Sequence, residues 1–352
     1  MKYKYFDWFG CPVRSKEVIK LAQDFENIPT TSRSNFFLDI EQELKIQLVK
    51  RFNLKPNQKI VFGFNASDLS NKLQLFLNKN NFTIQTTNYE HHSNYASWLK
   101  NNSNVSLKQK IEDFTQSDLY LTTLVSNITG EHHENQIIEL RKRYSTSLLI
   151  VDGSQSVNYD VDIQKLDCDF FYFSSHKYGA FHGLGVGIIT DKLYNLLHDT
   201  SFIGGGNVLL ATQDKVIIHD ENAHFWVGTK NNLAIRSLSY CLQNKNIIDT
   251  KLKAKIVQFD LEMQTMFKKI SVDNYFCCTY MLPNFLPGHD LSEELAKKNF
   301  IIRTGNLCCS ALADHLESDF FRISFGYKNK ITEVTSLLSE IKKIYNFYKQ
   351  YD

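Results

Sequence analysis

The sequence predicts an α/β protein: a mostly parallel sheet with crossover helices, followed by a smaller α+β region. Three observations carry this. Apolar runs of strand length alternate with stretches of helical periodicity through the first two thirds of the chain. Two of those runs, Leu148 to Val151 and Phe170 to Phe173, are continuously apolar, as strands buried on both faces are. Each delivers polar chemistry at its carboxyl end, Asp152-Gly153 after the first and Ser174-Ser175-His176-Lys177 after the second. In open α/β sheets that edge is where ligands bind.

In chain order, YKYFDWFGCP reads as an extended aromatic segment, and Ser15 to Phe25 as a helix. Phe37 to Phe52 spaces apolar residues at helical period with charges between them, which predicts a surface helix. Lys59 to Phe64 reads as a strand, and Asn65-Ala66-Ser67 as the cap of a helix running to Leu77. The free N–H groups of such a helix start favour a phosphate. Asn81 to Thr87 and Asp118 to Val125 are further strands, and Glu139 to Tyr144 completes a helix. Beyond the helical stretch Ile235 to Leu242 the chain turns Lys-rich, which places a boundary near residue 245. Strands are expected at Tyr275–Leu282, Phe300–Arg303 and Phe321–Phe325, and a last amphipathic helix from Ile331 to Tyr348. The expected organisation is therefore an N-terminal segment over 1–30, a large domain over 31–245 and a small one over 246–352.

The bulk numbers exclude several classes. At 352 residues the chain fills one large and one smaller domain, and 43% hydrophobic with 22% charged residues is ordinary for a soluble globular protein. A net charge of +2 makes no case for nucleic acid. No apolar run approaches a membrane span, and Met1-Lys-Tyr-Lys-Tyr leads into no signal-peptide core, so a cytoplasmic location is expected. The seven cysteines are an odd number, and the adjacent pairs lack Cys-x-x-Cys spacing; free thiols and no metal are expected.

Lys177 is a cation with an apolar strand behind it, glycines in front and His176 beside it. Desolvation and a neighbouring His lower a lysine pKa, as a Schiff-base lysine requires. With Asp152-x-x-Gln155 upstream, this stretch resembles the class V (cysteine desulfurase-like, SufS-type) group of pyridoxal-phosphate enzymes, a family of transferase fold type I with a seven-stranded-type sheet. The resemblance extends over nearly the whole chain. Glu90-His91-His92-Ser93-Asn94 is similar to the Glu-His-His-Ala-Asn signature of that group; Ser126-Asn127-Ile128-Thr129-Gly130 is similar to its Ser-Asn-x-x-Gly. Arg303-Thr304-Gly305-Asn306-Leu307-Cys308 resembles its Arg-x-Gly-x-x-Cys loop.

The resemblance implies roles. His91 would stack on the pyridine ring and move protons at the cofactor. Asp152 would keep the ring nitrogen protonated, while Asn127 and Gln155 would bind the phenolic oxygen. Ala66, Ser67, Ser174 and His176 would hold the phosphate of pyridoxal 5'-phosphate, and Lys177 would be its covalent lysine. Gly228-Thr229 would reach the phosphate of the neighbouring subunit, which implies a homodimer. Cys308 would take sulfur from the substrate, with Cys309 its nearest competitor. Arg322 would clamp the carboxylate of an amino-acid substrate, with Arg303 the next candidate. The implied reaction converts L-cysteine to alanine and an enzyme persulfide, and implies a sulfur-acceptor protein.

Five positions depart from the family pattern. Ala66 replaces one of two hydroxyl residues, Ala180 a proline, and Trp226 a glutamate, while Trp8 and Phe9 stand where small residues are common. The cofactor residues are shared with aminotransferases, C–S and selenocysteine lyases and epimerases, which stay open as alternatives, as does a non-catalytic scaffold that binds the cofactor.

Overall fold

The apolar runs Leu148 to Val151 and Phe170 to Phe173 lie in the strands Leu148–Asp152 and Phe170–Ser174, which are neighbours in a seven-stranded sheet. The computed structural model describes residues 3–26, 35–102, 104–197, 202–218 and 224–351; residues 27–30 of the expected N-terminal segment lie outside the described residues. The chain divides into two units. One comprises Arg14–Val125 and His133–Asn244; the other comprises Met1–Val13, Ser126–His132 and Lys245–Asp352.

The first strand, β1 (Lys4–Tyr5), belongs to the smaller unit. The sheet of the larger unit is built from β2 (Gln58–Gly63), β3 (Ile84–Thr87), β4 (Val105–Lys108), β5 (Leu119–Thr123), β6 (Leu148–Asp152), β7 (Phe170–Ser174) and β8 (Gly185–Thr190). Their order is β2-β8-β7-β6-β5-β3-β4. β8 runs antiparallel to both neighbours, and the remaining strands run parallel to one another. The helices Ala66–Leu77, His92–Asn101 and Glu134–Arg143 supply crossovers between the parallel strands.

Every residue of β5, β6 and β7 is buried. Phe171 and Phe173 of β7 pack with Leu44, Leu48 and Phe52 of the helix Asn35–Phe52, and with Ile235 and Leu238 of the helix Asn232–Gln243. Each such side chain contributes about 1.5–3 kcal/mol of burial, so this core fixes the sheet and leaves the strand ends to carry chemistry. A separate hairpin, β9 (Val208–Ala211) and β10 (Val216–Ile218), belongs to the same unit.

The smaller unit continues with β11 (Cys277–Met281), β12 (Phe300–Ile301), β13 (Arg303–Gly305) and β14 (Phe320–Ser324). β14 is the middle strand of an antiparallel sheet between β11 and β13, and β1 pairs parallel with β12. The helix Thr250–Met263, capped by Asp249 on the Leu252 N–H (2.9 Å), buries Leu252, Ile256, Phe259 and Met263 at helical spacing. They join Val334, Leu337, Leu338 and Ile341 of the final helix, Ile331–Lys349, in one core with Phe321 and Ile323. Trp8 belongs to the packing of this unit: its indole N–H donates to Tyr5 O (3.1 Å), and its ring meets Tyr327 edge-on at 5.5 Å.

Candidate active site

In the larger unit the candidate residues other than Thr229 stand at or follow the carboxyl ends of β2, β3, β6 and β7. Asp152 ends β6, 3% exposed, and its Oδ1 accepts the Ser154 N–H at 2.8 Å. Burial pushes this carboxyl above its ordinary pKa, against the Ser154 hydrogen bond and the nearby Lys177 ammonium. Lys177 stands in a short 3-10 turn, Ser175–Tyr178, that follows β7 directly. Gly179 closes this turn at φ 85°, the left-handed region where glycine carries no steric cost. Ser175 donates to Phe181 O (2.6 Å), and its N–H donates to Leu184 O (2.9 Å), so the loop that lost the proline is tied by side chain and backbone.

Ser174 faces the turn after β2. Its Oγ accepts the N–H of Ala66 at 2.8 Å, and Asn65 Oδ1 accepts the N–H of Asp68 at 2.9 Å, capping the helix Ala66–Leu77. Ser67 is exposed at that helix start. Gly185 makes the approach feasible: a Cβ there would fall 2.6 Å from the backbone carbonyl of Asn65.

His91 is the N-cap of the helix His92–Asn101. Its Nδ1 accepts the Ser93 N–H (3.2 Å) and lies 2.8 Å from Ser93 Oγ, which assigns the ring proton to Nε2. Beneath it Glu90 is fully buried. Its carboxylate accepts the Thr123 N–H (2.9 Å), the Thr87 hydroxyl (3.1 Å) and Asn94 Nδ2 (2.8 Å), and Asn94 Oδ1 accepts the Tyr172 hydroxyl (2.8 Å). Burial pushes Glu90 up to about 7, with Asp152 adding to the rise. The network pins the His91 turn to strands β3, β5 and β7. Gln155 is buried one turn beyond Asp152.

His176 precedes Lys177, and its ring stacks on His182 at 4.7 Å. His182 Nδ1 lies 2.8 Å from Arg14 Nη2. Burial, then Lys177, His182 and Arg14, push His176 down to about 4, so it is neutral at pH 7. Arg14 and His182 escape the sequence reading, because a single Arg after Pro12-Val13 carries no motif. Thr229 is exposed behind Gly228, which has φ 86°. Trp226 is buried and donates its indole N–H to Gly228 O at 3.0 Å, so it shapes this turn.

The smaller unit holds Asn127, Arg303, Cys308 and Arg322. Arg322 lies in the middle of β14, 4% exposed, with Nη1 donating to Asn127 O and Nη2 to Asp7 Oδ1, both at 2.8 Å. Arg303 is its direct cross-strand partner on β13, so the two project from one face of the sheet; Arg303 is exposed. Asn127 Nδ2 donates to Leu307 O at 2.9 Å. Leu307 and Cys308 follow with φ of 52° and 60°, left-handed values that cost a non-glycine residue roughly 1 kcal/mol each. Asn306 holds the turn: its Oδ1 accepts the Cys308 N–H (3.1 Å) and its carbonyl the Cys309 N–H (2.9 Å). The Cys308 thiol is half-buried, whereas Cys309 is fully buried. Among the described residues no group of three or more His, Cys, Asp or Glu side chains gathers as a metal site, and no helix is long and apolar enough to cross a membrane.

A mostly parallel seven-stranded sheet with one antiparallel strand, followed in the chain by a smaller α+β unit, is the fold type I architecture of the pyridoxal-phosphate-dependent transferases. The family model for "Aminotransferase class-V" matches residues 26–337, and the chain belongs to that family. It is 24% identical over 346 residues to a cysteine desulfurase of Wigglesworthia glossinidia brevipalpis, covering 88% of this chain and 83% of that one. It is 24% identical over 397 residues to a probable cysteine desulfurase of Borreliella burgdorferi, covering 97% and 91%. The cysteine desulfurase CsdA of Escherichia coli superposes with a TM-score of 0.85 at 19% identity, covering 98% of this chain and 95% of that one. The apo cysteine desulfurase of Thermococcus onnurineus NA1 superposes with a TM-score of 0.83 at 20% identity, covering 98% and 95%. The chain is thus desulfurase-like in sequence and fold.

Proposed function

We propose that this enzyme takes sulfur from L-cysteine onto the Cys308 thiol and releases alanine. The observation that carries the reading is the loop of Cys308: two successive left-handed residues, braced by Asn306 and Asn127, present one thiol while its neighbour Cys309 is buried. Strain of that kind persists where the surroundings hold it, and a reactive side chain is a reason to hold it.

The residues of the larger unit fit pyridoxal phosphate. Asp152 is a buried carboxylate with its pKa raised, and a protonated ring nitrogen would satisfy it. Ser67, the Ala66 turn and Ser174, whose hydroxyl hydrogen can be donated, suit a phosphate at a helix start. His176, neutral at pH 7, would add a hydrogen bond there without a second charge. When bound, the cofactor offers an aldehyde to the substrate amine and a ring that draws electrons from the α-carbon. Lys177 would anchor that aldehyde and then carry the α-proton. His91 would lie on the ring and move protons at the cofactor. Gln155 and Asn127 would reach the phenolic oxygen, Asn127 through the amide hydrogen that Leu307 leaves. Arg322 would hold the substrate carboxylate, with Arg303 on the same sheet face.

The exposed Thr229 behind Gly228 suits a contact with the phosphate of a second copy, so we place the enzyme in a homodimer. A persulfide on Cys308 needs an outlet, and we assign it to a sulfur-acceptor protein. Purified protein supplied with a panel of amino acids tests the reading: alanine should appear from L-cysteine alone, with one sulfur released per alanine once a reducing thiol is added. Pyruvate with free ammonia and sulfide instead would make the enzyme a C–S lyase, and a keto acid formed without release of ammonia would make it an aminotransferase. Loss of borohydride-fixed cofactor in Lys177→Ala checks the anchor.

A further inference from the structure

The Arg322 guanidinium already holds a carboxylate. Asp7 Oδ1 lies 2.8 Å from Nη2, Asn127 O lies 2.8 Å from Nη1, and Nε is buried with no hydrogen-bond partner among the described residues. The segment that carries Asp7 is strapped along β14. The Ser324 N–H donates to Phe6 O (2.8 Å) and the Phe9 N–H to Ser324 Oγ (3.0 Å). The Tyr5 hydroxyl bonds Asp7 O (2.9 Å) and Cys11 O (2.8 Å). The Phe9 ring stands 5.6 Å from the guanidinium. Gly10 gives the acid its room, because a Cβ there would fall 2.3 Å from Asp7 Oδ2. A built cradle therefore sits on the arginine, and an internal acid fills it.

Resting on the reading of Arg322 as the substrate's carboxylate clamp, we propose that Asp7 is the resident occupant of that clamp and sets the enzyme's affinity for amino-acid carboxylates by competing with them. A guanidinium neutralised in a dry site attracts a second anion weakly, and the newcomer must displace Asp7 or lie beside a like charge. Asp7 uses one edge of the fork and leaves Nε orphaned. A carboxylate that takes Nε and Nη2 together gains a second charge-assisted bond and satisfies a buried donor. A substrate without a free carboxylate gains neither. Asp7 thus lowers affinity for all acids and admits those that engage both nitrogens.

The probe is 3-mercaptopropionate, which has the carboxylate and thiol but no amine to react with the cofactor; 2-mercaptoethanol is its carboxylate-free control. Calorimetry on the cofactor-loaded protein should show Asp7→Asn binding 3-mercaptopropionate at least about tenfold more tightly than wild type, with 2-mercaptoethanol unchanged. Gly10→Ala, which pushes the Asp7 carboxylate aside without deleting it, should tighten the same probe, and it decides the matter if Asp7→Asn does not fold. Unchanged or weaker binding in the folded variants overturns the proposal and makes Asp7 an orienting residue for Arg322. Because the probe is not turned over, the result stands apart from the desulfurase reading, whose own failure would appear as no alanine from L-cysteine in the wild type.

Discussion

Asn127 donates its side-chain N–H to the carbonyl oxygen of Leu307 at 2.9 Å, one residue before Cys308. The amide that the family resemblance assigns to the cofactor thereby also braces the loop of the candidate nucleophile. Asn127→Ala would leave the Leu307 carbonyl without this donor and release a loop already held in left-handed conformations. Loss of one buried hydrogen bond costs about 1–3 kcal/mol. We expect sulfur transfer to Cys308 to slow by about tenfold or more in single-turnover measurements. Asn127→Asp should fare no better, since it deletes the donor. An unchanged transfer rate in both would remove Asn127 from the placement of the thiol.

Glu90 gives the protein a pH signature. Its folded pKa, about 7, lies above the ordinary carboxyl value, so the native state binds a proton more tightly than the unfolded chain. This group's contribution to stability is complete below the ordinary value, falls as pH rises toward about 7, and is flat above it. The span corresponds to roughly 3 kcal/mol. Asp152, also raised, slopes in the same sense. Denaturant midpoints between pH 4.5 and 7.5 should fall in the wild type and slope less in Glu90→Gln, even though that variant is less stable overall. Equal slopes would place the proton elsewhere.

Gly185 tests the phosphate end. Gly185→Ala sets a Cβ against the Asn65 backbone, which cannot rotate away as a side chain could. We expect a stability loss of about 1–3 kcal/mol and weaker uptake of pyridoxal phosphate by the apo-protein, because the Asn65–Ser67 turn is pushed off Ser174. Full cofactor affinity in a destabilised variant would separate that turn from the phosphate.

The sequence speaks most clearly where burial is complete. The runs Leu148 to Val151 and Phe170 to Phe173 are legible because strands covered on both faces must be continuously apolar. The edge strand Val105–Lys108 is not: its residues V-S-L-K are half-buried throughout and alternate too briefly to show a period. β8 carries no strand signal in the sequence, since Gly185 and Gly187 are small for packing reasons invisible in one dimension. The first yields to the Asn65 backbone, the second to Phe170 and Val61. The strand expected from Asn81 begins only at Ile84, because Asn81 adopts φ 45° and closes a 3-10 turn instead. The candidate site divides the same way. Motif spacing marks Asp152, Lys177, His91 and Cys308. The partnerships of Arg322 with Asp7 and of Asn127 with Leu307 join residues far apart in the chain, and no local pattern encodes them.

Everything proposed for the chemistry converges on one thiol. A desulfurase must form alanine and a protein-bound sulfur in equal amounts before any acceptor is present. The decisive measurement is therefore a single turnover of the cofactor-loaded protein with L-cysteine, quantifying alanine while peptide mass spectrometry locates the added sulfur. The wild type should give one alanine per active site with the added sulfur on the Cys308 peptide, and Cys308→Ser should give neither product. Alanine formed at the wild-type rate by Cys308→Ser would contradict the account.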